Sequence, residues 1–263
     1  MPGMYDLEEE LMMSMADDEL IAKAPASWYR YCGADAVFAI GDVHGMADQL
    51  EILLQRYESR RAVFNAQGVS TEVVMLGDYV DRGPDSARVV ETVKQFSLSL
   101  CGNHEDMMAF TMENGGIEAD VSDHWIANGG GATIDSYRKE YGSSYIAHLY
   151  SDAEWIRTMP HAVYTDRYLF VHAGIDPRSR WTDQSRDALM WVRNVFLDST
   201  EDHGKVVVHG HSPRSESPEI LPNRINLDTG AVFGGALTGA WFFKDREPEF
   251  ESIKTDRPAR YME

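Results

Sequence analysis

Residues 36–45 read Ala36-Val37-Phe38-Ala39-Ile40-Gly41-Asp42-Val43-His44-Gly45. Five apolar residues run directly into a glycine, a carboxylate and an imidazole. A short apolar run bounded by a glycine turn reads as a buried strand, so the polar side chains fall at its carboxyl end. The arrangement recurs twice: Glu72–Leu76 runs into Gly77-Asp78-Tyr79-Val80-Asp81-Arg82-Gly83, and Ser97–Leu100 into Gly102-Asn103-His104-Glu105. Between these runs, Leu50, Leu53, Leu54 and Tyr57, and then Ser86, Val89, Val90 and Val93, recur at helical spacing. Strand, helix, strand, helix, strand implies parallel crossover units.

Working outward, further strands are predicted at Tyr168–Val171, Lys205–Val208, Arg224–Leu227 and Ala236–Phe243. Less helix separates them, so an antiparallel portion is expected. Two of them also end in histidine, at His172-Ala173-Gly174 and His209-Gly210-His211. The stretch 111–160 is helix-like and is expected to form an excursion beside the site. There is no internal repeat and no Gly/Ser linker, so residues 35–263 read as a single catalytic domain. Residues 1–34 form an acidic, Met-rich lead in which Leu11, Met12, Met15 and Leu20 outline a short amphipathic helix packed on that domain.

The chain has 263 residues, 24 Lys+Arg against 43 Asp+Glu, and a net charge of −19. That charge repels phosphate backbones and anionic lipid at long range, which argues against duplex nucleic-acid binding and membrane association. No apolar stretch approaches the ~20 residues of a membrane span, and the acidic start is unlike a basic signal peptide. A cytoplasmic protein is expected. Cys32 and Cys101 are too few for a disulfide framework, and neither begins a Cys-x5-Arg loop, because Phe38 and Met107 stand at the arginine position.

In an open sheet with crossover connections, ligands bind beyond the carboxyl ends of the strands. Five strand-end turns there would place carboxylate, imidazole, amide and guanidinium groups on one rim. Carboxylate oxygen and imidazole nitrogen suit divalent ions such as manganese, iron or zinc, and a carboxylate with two oxygens can bridge a pair. An arginine fork beside such ions binds phosphate oxygens. Competing machinery is missing: Gly210-His211-Ser212-Pro213-Arg214 lacks the last glycine of a nucleophile elbow. His104-Glu105-Asp106-Met107-Met108 lacks the second histidine of a zinc-protease helix, and Lys205 is followed by Val206, so no P-loop is formed. His124, His148, His161 and His203 receive no role, and Asn128-Gly129-Gly130-Gly131 is read as a turn.

These residues resemble the metallophosphoesterases, and within them the bacterial-type phosphoprotein phosphatases, whose signatures GDxHG, GDxVDRG and GNHE occur here complete and in order. The resemblance runs from about Ala36 to Gly239. It implies an α+β fold of α/β/β/α layers, with a central β-sandwich of two mixed sheets flanked by helices. It also implies two divalent metal ions, manganese first, with Asp42 and His44 on one, Asn103, His172 and His211 on the other, and Asp78 bridging. Arg82, His104 and Arg193 would face the phosphoryl group, Asp81 would orient His104, and Glu105 would brace its turn. Chemistry would proceed by in-line attack of a metal-bridging hydroxide, with His104 protonating the leaving oxygen. A phosphoprotein or phosphopeptide is the first expected substrate, on the strength of Glu105 in GNHE. It needs an open groove, and Arg138, Lys139 and Arg157 are few cations for a long polyphosphate. The alternative is a dinucleoside polyphosphate, for which Trp125, Tyr137, Tyr141 and Tyr145 could stack a base. A catalytically inactive binding module is the least favoured reading, because every expected ligand is present.

Overall fold

In the computed structural model, which describes residues 26–255, the run Ala36–Ile40 is a strand buried along its whole length. Its side chains alternate between two cores: Ala36, Phe38 and Ile40 enter one, Val37 and Ala39 the other. A strand covered on both faces needs no polar side, which is why the run is continuously apolar.

The strands are β1 (Tyr29–Tyr31), β2 (Ala36–Ile40), β3 (Thr71–Met75), β4 (Ala162–Tyr164), β5 (Tyr168–Val171), β6 (Val206–His209), β7 (Glu219–Ile220), β8 (Arg224–Asn226), β9 (Ala236–Phe243) and β10 (Glu249–Lys254). They form a six-stranded sheet in the order β1-β4-β5-β6-β8-β7 and a four-stranded sheet in the order β10-β9-β2-β3. Both are mixed. The β2–β3, β5–β6 and β6–β8 pairs are parallel, whereas β9 runs antiparallel to β2 and β10.

Between the sheets lies a core of Val37, Val74, Leu76, Phe170, Val208, Ile225, Ala240 and Phe242. Helix α1 (Ala47–Ala66) covers the outer face of the four-stranded sheet, where Tyr57 stacks on Phe38 and Trp241 at ring distances of 5.6 and 5.4 Å. The helices α2 (Ser86–Val93), α3 (Asn103–Glu113), α4 (Ser122–Trp125), α5 (Gly131–Tyr141) and α6 (Tyr145–Ile156) follow in the same layer and build, with α1 and the outer face of that sheet, a second core. On the far side, α7 (Arg186–Trp191) and α8 (Asn194–Leu197) supply Leu189 and Phe196 against Leu169, Val171 and Val207. The layers are therefore helix, sheet, sheet, helix, as the resemblance implies. Among the described residues, no helix is long and apolar enough to cross a membrane.

The sequence reading does not place β4, β7 and β10, and it differs in two further details. Ser97–Leu100 is not a strand but a single parallel bridge from Ser99 to Met75. The chain leaves the sheet at once, because Cys101 N–H donates to Pro160 O at 3.0 Å and α3 begins at Asn103. Tyr29–Tyr31, placed in the lead, is the edge strand of the larger sheet, parallel to β4. The helix expected around Leu11 and Leu20 lies outside the described residues.

Candidate active site

The carboxyl ends of β2 and β3 in one sheet and of β5, β6 and β8 in the other meet at one rim, where hydrogen bonds join neighbouring strand ends and, through His172 and His211, cross between the sheets. His172 Nδ1 donates to Leu76 O at 2.9 Å, and Gly210 N–H donates to His172 O at 2.8 Å. His211 N–H donates to Asp42 Oδ2 at 2.9 Å, while the N–H groups of Val43 and His44 donate to Asp78 O at 3.0 and 2.8 Å. The turns demand an unusual backbone. His44, Asp78, Asp81, Arg82 and His211 have φ of 43°, 54°, 72°, 65° and 66°, and no other non-glycine residue among those described has positive φ. Left-handed conformations cost about 1–3 kcal/mol each and persist only where the surroundings over-determine them. Gly210 illustrates the crowding, since a Cβ there would stand 1.9 Å from Asp42 Oδ1.

Asp78 is the centre of the cluster. Its ligand atoms group with those of His44 and His104 on one side and with those of His172 and His211 on the other, each group lying within 4.8 Å. Asp78 Oδ2 is 3.4 Å from His44 Nε2, and Oδ1 is 3.3 Å from His172 Nε2. Asn103 Oδ1 joins the second group, 2.9 Å from His172 Nε2 and 3.0 Å from His211 Nδ1. Asp42 lies outside both triads, against the His211 backbone.

The proton placement makes the cluster an acceptor trap. His44 Nδ1 is committed to Val80 O at 2.7 Å and His172 Nδ1 to Leu76 O, so the Nε2 lone pairs point inward. Burial holds His44, His104 and His211 well below the usual imidazole range and brings His172 down to about 4. Neutral imidazoles are the form that binds metal. Burial also pushes Asp78 up to about 7 and Asp228 to about 6, and it raises Asp42, which Asp228 and Asp78 raise further. Asp42 Oδ1 and His211 Nε2 are buried without a hydrogen-bond partner. Crowded carboxylates, inward lone pairs and orphaned acceptors are costly in themselves and are satisfied by cations, so this donor set fits divalent metal ions.

Around this centre, Arg82 Nη1 donates to His44 Nε2 at 2.9 Å, and Arg193 Nη1 donates to Ser212 Oγ at 3.1 Å. His104 Nδ1 meets Asp81 Oδ2 at 2.6 Å. Glu105, fully buried, accepts the backbone N–H groups of Asp78, Tyr79, Val80 and Gly102 at 2.7, 2.7, 3.2 and 3.0 Å. The structure thus gathers at the rim all ten residues named from the sequence: Asp42, His44, Asp78, Asp81, Arg82, Asn103, His104, His172, Arg193 and His211. His209 turns away, 5.1 Å from the Phe196 ring and 3.4 Å from Arg224.

Asp228 and Thr133 go unrecognised in the sequence, and Trp125 reads there only as a base-stacking ring. Asp228 sits buried beside Asp42 and Asp78, and its Asp228-Thr229-Gly230 turn follows β8 in the same strand-end style as the other motifs. Trp125 and Thr133 hydrogen-bond Asp81. Trp125 and Tyr137, expected as base-stacking groups, are buried, and the Tyr137 hydroxyl donates to Asp152. Tyr141 stacks on His148. Arg138, Lys139 and Arg157 pair with Asp135, Asp85, Asp106 and Glu113.

The calcineurin-like phosphoesterase profile matches residues 36–245. A bis(5′-nucleosyl)-tetraphosphatase PrpE (asymmetrical) of Oceanobacillus iheyensis is 26% identical over 246 residues, covering 83% of this chain and 92% of the relative. The protein of the same name from Halalkalibacterium halodurans is 28% identical over 249 residues, covering 83% and 94%. Among solved structures, a putative diadenosine tetraphosphatase superposes with TM-score 0.58 at 24% identity, covering 86% of this chain and 97% of its own. A protein serine/threonine phosphatase from Saccharomyces cerevisiae superposes with TM-score 0.55 at 15% identity, covering 88% and 84%. Similarity of that degree shows a shared fold.

Proposed function

The chain belongs to the calcineurin-like phosphoesterase family, and from that premise we propose that it is a metal-dependent hydrolase of bis(5′-nucleosyl) tetraphosphates, cutting a phosphoric anhydride bond. The observation that carries the metal chemistry is Asp78, whose two oxygens face two separate groups of ligand atoms. The substrate class is supported by the relatives that bear that name over more than four-fifths of this chain.

Asp42, His44 and Asp78 would hold one ion, and Asp78, Asn103, His172 and His211 a second, with manganese first and iron or zinc as alternatives. Bound there, the ions supply positive charge to the phosphoryl oxygens and acidify a water at neutral pH. Arg82 and Arg193 bind the non-bridging oxygens and orient the phosphate. His104, neutral in its buried setting and fixed through Nδ1 by Asp81, would take up at Nε2 the proton that the water releases and pass it to the leaving oxygen. Water adds across the P–O–P bridge: its oxygen ends on phosphorus and the departing phosphate takes up a proton. Cleavage beside one nucleoside yields a nucleoside monophosphate and a nucleoside triphosphate.

Phosphoprotein hydrolysis, the first expectation from the sequence, rested on Glu105. That side chain is fully buried and committed to four backbone N–H groups, so it cannot select a leaving group. The test is kcat/KM on diadenosine tetraphosphate against a phosphoserine peptide at equal Mn²⁺. A preference for the dinucleotide of about a hundredfold, ~2.7 kcal/mol, is expected. The opposite preference would return the phosphopeptide to first place and leave the metal chemistry intact.

A further inference from the structure

The helical excursion reaches the site at one point, the left-handed turn of Asp81 and Arg82. Asp81 is completely buried. Its Oδ2 accepts from His104 Nδ1 at 2.6 Å, and both its oxygens lie 2.9 Å from Trp125 Nε1. The Thr133 hydroxyl donates to Oδ1 at 2.7 Å, while Asp81 N–H donates to the same hydroxyl oxygen at 2.8 Å. Thr133 therefore grips the residue at both ends, and Ser86 Oγ lies 3.1 Å from the same hydroxyl and accepts Asp81 N–H at 3.2 Å. Trp125 and Thr133 are themselves fully buried, so neither exchanges its partner for water.

The segment joining these two residues is held against the same turn. The wide turn Ile126–Gly130 contains Gly129 at φ 110°, whose carbonyl accepts Arg82 N–H at 3.2 Å. A Cβ at Gly129 would stand 2.7 Å from Arg82 Cγ and 3.0 Å from Arg82 N, so the approach requires glycine. The glycine run around Gly129 thus seats the excursion on the 81–82 turn, with Trp125 before it and Thr133 after it.

We propose that Trp125 and Thr133 are positioning residues for the hydrolytic reaction: by saturating Asp81 with donors they leave its carboxylate one orientation, which aims His104 at the leaving oxygen. A buried carboxylate held by two donors besides the imidazole, one from α4 and one from α5, cannot rotate to follow it. The imidazole must follow the carboxylate instead. This inference rests on the reading of His104 as the proton donor, and the experiment separates the two.

Trp125→Phe removes the N–H donor together with part of the buried indole, whereas Thr133→Val replaces only the hydroxyl with a methyl. Thr133→Ser keeps the hydroxyl and is the rescue control. Each Mn²⁺-loaded full-length variant is assayed on phenyl phosphate, whose leaving group needs a proton, and on 2,4-dinitrophenyl phosphate, whose leaving group does not. Metal content and melting temperature are recorded alongside. Loss of one positioning bond is expected to lower kcat on the phenyl ester by about tenfold and on the dinitrophenyl ester by less than about twofold. Thr133→Ser is expected to regain most of the loss. A purely structural role would lower both rates together, and equal losses on the two esters, or no loss on either, would overturn the inference. His104→Asn is run in parallel. If that variant shows no leaving-group dependence, the reading of His104 falls and the inference falls with it. If it does show the dependence while Trp125→Phe and Thr133→Val do not, the inference alone falls.

Discussion

Replacing Glu105 with glutamine changes one atom and leaves the volume intact, so its consequence can be worked out from the hydrogen bonds. Glu105 Oε1 accepts from Tyr79 and Val80, and Oε2 from Asp78 and Gly102. Whichever way a glutamine amide is turned, its NH₂ faces two backbone N–H groups that are also donors. Two bonds to a charged acceptor are lost, and two buried N–H groups are stranded. At about 1.5–3 kcal/mol for each such bond, the change is expected to cost about 3–6 kcal/mol. For a chain of this size that is roughly 6–24 °C of melting temperature. The damage falls on the turn that holds Asp78 at φ 54°, so metal retention should suffer as well. The assay is a thermal melt of the Mn²⁺-treated variant with metal analysis after gel filtration. A melting temperature within about 2 °C of wild type, with full metal content, would refute the reasoning, because it would mean that the clamp holds nothing.

Gly210→Ala places a Cβ 1.9 Å from Asp42 Oδ1 and should lower metal content without unfolding the sheets; a variant with the wild-type metal equivalent counts against the crowding seen there. His211→Ala should lose metal while His209→Ala keeps it, because only His211 groups with Asp78 and His172; the reverse outcome would exchange their roles. His161 is held by burial at about 4, and its Nδ1 is without a partner. Below the unfolded imidazole pKa of ~6.5 the unfolded chain takes up a proton that the native ring does not, so this group lowers stability as pH falls from about 6.5 towards 4. His161→Phe should therefore flatten the acid side of the melting profile, and parallel profiles for variant and wild type would contradict that sign.

The rim was legible in the sequence because Asp42, Asp78, His172 and His211 each follow closely on a strand, whereas Asn103 follows a single bridge. Parallel pairing of β2 with β3 brings Asp42 beside Asp78, and that of β5 with β6 brings His172 beside the His211 turn; that the two sheets meet at one rim is seen only in the fold. The double alternation of Ala36–Ile40 likewise shows a strand covered on both faces before any neighbour is known. Features set by distant partners were not legible. Trp125 and Thr133 stand 44 and 52 positions from the Asp81 they hold, and no local pattern links them. Trp125 reads equally well as a base-stacking ring until its burial is seen. Ser97–Leu100 has strand composition, but the bond from Cys101 to Pro160 draws it off the sheet after one bridge. Asp228 resembles an ordinary turn former, since only the fold shows that its turn closes beside Asp42. The substrate reading met the same limit: Glu105 looks like a functional side chain in GNHE, whereas the fold commits it to four backbone N–H groups.

The sharing of Asp78 between two ion sites is tested most directly by EPR of chelator-stripped protein titrated with Mn²⁺. Wild type is expected to take up two equivalents and show an exchange-coupled pair, and Asp78→Asn to lose both the coupling and at least one equivalent. A single equivalent in wild type, or two ions that remain magnetically independent, would contradict the shared carboxylate on which the proposed chemistry rests.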